Sequence, residues 1–267
     1  MSRLLVTSRA LEDRRVSLAF WVVGLVVYTA LIVAVWPFID DNEDFKDLAQ
    51  SYPDALQAMF GGADAFALFT TPEGFLNTYL FSMILPLLLV GMAVAMGSAL
   101  LAGDEEDGLL DLLLSNPLTR TAAVTQKALA IGLALVAMGV ALCVVVLVLG
   151  RLVDLDVGVG ALAAATLGAL LYGLLHGLIA LLAGSLRGAK GFALGVGWGL
   201  ALLGYLINVV ANLTDSLEPL RWLSPLYYAT ADDPIVNGVP PEFLALAGAC
   251  AVIFGATIVA FRRHDLS

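Results

Sequence analysis

GDEEDGLLDLLLSNPLTRTAAVTQK, residues Gly103 to Lys127, interrupts a chain otherwise built of long apolar runs. Four consecutive acids, Asp104 to Asp107, lead into a leucine-rich segment, Asn116-Pro117 breaks it, and threonines with Arg120 open the next piece. The leucines, interrupted by Asp111, form a surface too short and too charged to cross a ~30 Å hydrocarbon layer, which takes about 20 residues of helix. Such a segment can lie at a membrane interface or in a protein groove. The acids read as charge at a helix N-terminus, where the backbone dipole favours it. A residue before proline is disfavoured in helical conformation, so this helix ends near Ser115. Asn116 or Thr119 can then cap the next helix, with Pro117 or Arg120 in its first turn.

The flanking sequence says what kind of protein surrounds this piece. Of 267 residues, 60% are hydrophobic and 13% charged, and the mean hydropathy is +0.94. A water-soluble domain of this length needs more polar surface than that. Six runs are long enough to span a bilayer, at about 18–36, 75–101, 128–149, 159–186, 191–210 and 243–261. The fold expected is all-α: one polytopic transmembrane domain over residues 1–267. The run from Val16 to Phe38 is too long for the apolar part of a cleavable signal and is read as a span. Pro86 predicts a kink in the second span. Residues 1–16 mix arginines with leucines and fit a helix lying on the membrane surface, the alternative being a basic tail that only sets topology.

Basic residues orient the spans. With the N-terminus in the cytoplasm, ten of the thirteen Lys and Arg face inward, and only Lys46, Arg151 and Arg221 lie outside. Both termini and the 103–120 segment are then cytoplasmic, while 40–73 and 214–241 are extracellular. Trp222, Tyr227 and Tyr228 suit an outer interface. The net charge of −10, carried in the loops, fits either ordinary solvated loops or a prokaryote adapted to saline surroundings.

Chemistry inside the membrane would require polar groups at depth, where they are costly. The spans hold no Asp, Glu, Lys or Arg near their centres; Tyr172, His176 and Asn208 are the milder exceptions. Tyr172 and His176 share a helix face, and His176 could line a path, titrate, or hydrogen-bond a neighbouring helix. No pair of histidines has metal-ligand spacing, no Gly-x-Ser-x-Gly elbow occurs, and no phosphate-binding P-loop occurs. No catalytic residue, metal or directly bound cofactor is expected, nor a nucleic-acid partner. Cys143 and Cys250 read as small membrane-helix residues. Gly191, Gly195 and Gly199 repeat every four residues and predict close helix packing, within the chain or with another subunit. The lack of intramembrane carboxylates argues against ion-coupled transport.

The pattern E-x-x-G-x-L-x-L-L-L-S-x-P-x-[ST]-R with a following lysine is met here by Glu105, Gly108, Leu110, Leu112, Leu113, Leu114, Ser115, Pro117, Thr119, Arg120 and Lys127. It resembles the cytoplasmic signature of ABC-2 type permeases, the membrane subunits of ABC exporters. Tyr52 to Gly61, Ser224 to Tyr228 and the FRRHDL ending agree with that family, as do the six spans. The resemblance implies a coupling helix that docks on a separate ATPase, which binds the ATP, and pairing with a second permease copy or a related permease. It assigns the ATPase contact to Glu105, Glu106, Gly108, Leu109, Asp111, Leu113, Ser115, Pro117 and Arg120. Gly108-Leu109 stands where Gly-Thr is usual, Gln126 where Gly is frequent, and the extra acids imply a basic surface on the partner. The alternatives are an assembly factor or membrane enzyme, which needs a convergent polar cluster, and a passive channel.

Overall fold

The computed structural model describes residues 5–40, 71–82, 84–109, 119–211 and 215–263. Asp111, Leu113, Ser115 and Pro117 lie outside the described residues, as does most of the 40–73 segment. Among the described residues there is no strand. Six helical segments there are long and apolar enough to cross a membrane: Arg15–Asp40, Pro72–Glu106, Arg120–Gly150, Val159–Arg187, Lys190–Ala211 and Glu242–Arg263.

In chain order, a surface helix α1 (Leu5–Asp13) precedes the first span α2 (Arg15–Asp40). The second span is built in pieces around α3 (Ile84–Ser98), with π-helical turns at Asn77–Phe81 and Ala99–Gly103 and a last turn at Asp104–Glu106. The remaining spans are α4 (Arg120–Gly150), α5 (Val159–Arg187) and α6 (Lys190–Ala211). After a 3₁₀ stretch at Asp215–Leu223 come the short helices α7 (Pro225–Thr230) and α8 (Pro234–Asn237), then the last span, α9 (Glu242–Arg263).

The spans run past the purely apolar stretches because capping groups extend them. Thr119 has extended backbone and its hydroxyl accepts the Ala122 N–H at 3.2 Å, so α4 starts at Arg120 rather than near 128. Gly188 closes α5 at φ +61, donating its N–H to Gly184 at 2.9 Å, and α6 begins two residues later.

The second span is the centre of the bundle. Of its most apolar window 78% is buried, against 17% for α2 and 22% for α6 and α9, which therefore stand at the periphery. It packs chiefly on α5, and small residues let the two backbones meet. A Cβ on Gly97 would collide with the Gly177 carbonyl, and one on Gly173 would press on Leu89 and Leu135 at 3.0–3.1 Å. Around this seam lie Leu85, Leu89, Met92, Ala93, Ile131, Leu135 and Leu181, all essentially inaccessible.

The small-residue face of α6 is not the one the sequence suggests. Gly191, Gly195 and Gly199 are exposed, with no atom within 4 Å of a Cβ placed on any of them. The contact inside the chain uses the opposite side: Ala193, Gly197 and Ala201 are buried, and a Cβ on Gly197 would meet Val94 at 2.7 Å. Four-residue spacing marks both faces equally, and only the neighbouring helices choose between them.

At the end remote from α1, Ser224 caps α7 and donates its hydroxyl to Gly204 at 2.7 Å, while Asn77 donates to Asp233 at 2.9 Å. Trp222, Tyr227 and Tyr228 stack edge to face there, with Arg221 over two of the rings. The two hydrogen bonds tie the fifth and second spans to the 215–237 segment, and the aromatic cluster braces that segment internally.

Candidate functional site at the basic end of the bundle

Arg14, Asp104, Arg120, Lys127, Lys190 and the end of α9 gather at one end of the bundle. There the structure corrects one expectation. Asp104 to Glu106 do not open a helix: they form the last turn of the second span, the Asp107 N–H bonds Gly103, and Gly108 at φ +68 leaves the helix. Carboxylates at a helix C-terminus face the unfavourable end of its dipole, so they require partners.

Those partners come from four other elements. Lys127, buried in the second turn of α4 at 1% exposure, donates to Asp104 Oδ2 at 2.8 Å and to the Leu100 carbonyl. Arg14, between α1 and α2, donates to the Ala99 carbonyl at 2.9 Å and lies 3.5 Å from Asp104 Oδ1. Both carbonyls belong to the π turn, whose widened geometry presents them to side chains. Glu106 accepts the Lys190 N–H at 2.8 Å, satisfying one orphan donor of α6. Glu105 sits against the α5–α6 turn, where a Cβ on Gly188 would fall 2.6–2.7 Å from its carboxylate.

Gln126, next to the buried lysine, holds α1. Its side-chain oxygen accepts the Val6 N–H at 3.0 Å, and its carbonyl accepts the Thr7 hydroxyl at 3.0 Å. Arg120 turns the other way, donating to the Phe261 carbonyl at 3.0 Å with its guanidinium 5.7 Å from that ring. Each flank of 107–119 is thus anchored: the acids to α4, α6 and the Arg14 junction, Arg120 to α9. Of the expected contact residues, Glu106 and Arg120 have these partners within the chain, and Glu106, Gly108 and Leu109 are exposed, as is the neighbouring Asp107.

The polar residues at depth separate. His176 is fully buried; its Nδ1–H donates to the Tyr172 carbonyl of its own helix at 2.9 Å, its ring packs 4.4 Å from that of Tyr172, and among the described residues its Nε2 has no partner. One ring nitrogen is thus satisfied a turn back within α5. Asn208 is half-buried towards the far end of α6. Among the described residues no group of three or more His, Cys, Asp or Glu is placed to hold a metal.

Two cavities lie along α3. The one nearer the basic end, about 280 Å³, sits between α2 and α6 and holds Arg14, Trp21, Met92 and Lys190 in its wall. The other, about 310 Å³, is walled by Val90, Tyr172, Trp198, Gly199 and Tyr205. Between them both indole rings rest on Gly91, where a Cβ would lie 2.8 Å from Trp21 and 3.3 Å from Trp198.

An all-helical, six-span bundle with these anchored flanks matches one family model, described as ABC-2 family transporter protein, over residues 6–266. The chain belongs to the ABC-2 transporter family. It is thus a transporter permease, a membrane-spanning subunit that is not itself catalytic. A search among curated proteins found no match. In this permease Glu105, Gly108, Thr119, Arg120 and Lys127 flank the 107–119 stretch or hold its ends. Sequence reasoning missed the ion pair of Lys127 with Asp104. The only signal was a lone lysine 23 residues after an acid, across a break in the helix.

Proposed function

We propose that the permease works with a separate ABC ATPase as an exporter, with the basic end in the cytoplasm and residues 103–120 receiving the ATPase. The observation that carries this reading is the anchoring of both flanks. A force on 107–119 would reach the second span and α4 through Asp104 and Lys127, α6 through Glu106, and α9 through Arg120. Buried, closely packed helices transmit such displacement instead of absorbing it. Asp107, Gly108 and Leu109 project outward for docking, and ATP stays on the partner. A second permease copy pairs through the outward face of Gly191, Gly195 and Gly199, where small residues permit close approach. The two cavities along α3 line the path.

The test uses vesicles carrying the permease with the ATPase encoded beside it. Arg120→Glu, or Gly inserted within Leu109–Leu114, should leave membrane insertion intact and abolish ATP-dependent substrate movement. Full transport by both variants, or equal transport without the ATPase, would overturn the reading. A cysteine at Gly195 should cross-link two copies in the membrane.

A further inference from the structure

The cavity nearer the basic end is amphipathic. Arg14, Ser17 and Lys190 stand at one end of its wall, while Trp21, Met92 and Leu194 supply apolar surface deeper in. Its lining contains two cations and no acid. Arg14 is steered by Asp104, which it shares with Lys127; Glu106 is engaged with the backbone N–H of Lys190, not with its ammonium. The Lys190 stem lies over Gly103, its Cδ 3.6 Å from a Cβ there, and the residue lines the cavity. From Arg14 to Trp21 is about 10 Å along the helix at 1.5 Å per residue. That is the depth from a headgroup to the upper part of an acyl chain. Trp21, which lines the cavity, rests on Gly91, where a Cβ would lie 2.8 Å from its ring.

We propose that this cavity binds an anionic phospholipid of the leaflet on the basic side, with its phosphate between Arg14 and Lys190 and one acyl chain against Trp21, Met92 and Leu194. Basic pockets between membrane helices at an anionic leaflet select such headgroups. A second copy is a poorer occupant, because a two-fold contact through this patch would set Arg14 and Lys190 against the same two cations. The binding requires neither ATPase nor transport, so it stands or falls separately from the function proposed above.

Native mass spectrometry of the full-length permease in detergent, titrated with phosphatidylglycerol or phosphatidylcholine, tests it. Wild type should retain phosphatidylglycerol preferentially. Lys190→Gln should weaken that retention about fivefold, the effect of one basic group near a membrane surface, and leave phosphatidylcholine unchanged. Arg14→Gln should act likewise, and Leu194→Trp should displace lipid by filling the apolar part while keeping both charges. Arg262→Gln/Arg263→Gln, which removes two exposed cations elsewhere at this end, should retain the lipid. Undiminished binding by Lys190→Gln and Leu194→Trp overturns the site. Equal loss in Arg262→Gln/Arg263→Gln would reveal non-specific attraction, and full competition by inorganic phosphate would reveal a free-anion site; either outcome also overturns it.

Discussion

Lys127 Nζ lies 2.8 Å from Asp104 Oδ2, joining the last turn of the second span to the second turn of α4. The lysine is 1% exposed and the aspartate 20%, so the two are not equally dispensable. Asp104 keeps Arg14 and some water if the lysine is lost, whereas Lys127 keeps only a carbonyl if the aspartate is lost.

Asp104→Ala should therefore destabilise the permease more than Lys127→Met. Removing one partner of a buried pair costs about 3–5 kcal/mol, and the lower end applies because Asp104 is partly solvated. The double variant Asp104→Ala/Lys127→Met should recover part of the loss, giving a coupling of about 1–3 kcal/mol. Unfolding temperatures of the four proteins in one detergent check this. Additive losses would mean that the pair is not an energetic unit.

Gly97 and Gly195 form a matched comparison. Gly97→Ala drives a methyl group into the Gly177 backbone, which cannot swing aside as a side chain could, and should cost about 1–3 kcal/mol or more. Gly195→Ala meets no atom of the described residues within 4 Å and should not lower the stability of the single protomer, alanine being the better helix former. Thermal inactivation in the membrane reads both, and similar losses would place the α3–α5 seam elsewhere.

Gln126→Ala should free α1 without unfolding the bundle. It removes the acceptor of the Val6 N–H, worth about 1 kcal/mol, and leaves the backbone bond to Thr7. Amide exchange should accelerate over residues 5–13 while α3 and α5 stay protected. Unchanged exchange there would show that α1 is held by its apolar contacts.

Arg120→Ala should loosen the end of α9. It loses the bond to the Phe261 carbonyl and the cation–π contact, together about 1–3 kcal/mol. Exchange over residues 258–263 is the readout, and Arg120→Lys should restore only part of the protection, because an ammonium lacks the planar fork.

Much of the fold is written in local pattern. Long apolar runs must bury their backbone polar groups in helices, so the number and order of the spans are legible from composition, while their ends are not: α4 starts at Arg120 rather than near 128. The clustering of Arg14, Lys127 and Lys190 at one end follows from the same periodic reversal. Which side of α6 packs inward was not legible, since Gly191–Gly195–Gly199 and Ala193–Gly197–Ala201 carry equivalent spacing. Nor was the role of the acids: the leucines after Gly108 suggested a helix beginning at Asp104, whereas the second span continues through a π turn to Glu106.

By itself the sequence determined a six-span helical permease and marked residues 103–127 as its distinctive segment, because hydropathy and capping act over a few residues at a time. Tertiary structure alone decided that Asp104 belongs to Lys127 and Arg14, that Glu106 caps α6, and that Trp21 and Trp198 meet over Gly91. Such pairings join elements tens of residues apart. They are selected by which helices pack together, and by the cost of leaving a charge or an N–H unpaired at the membrane end.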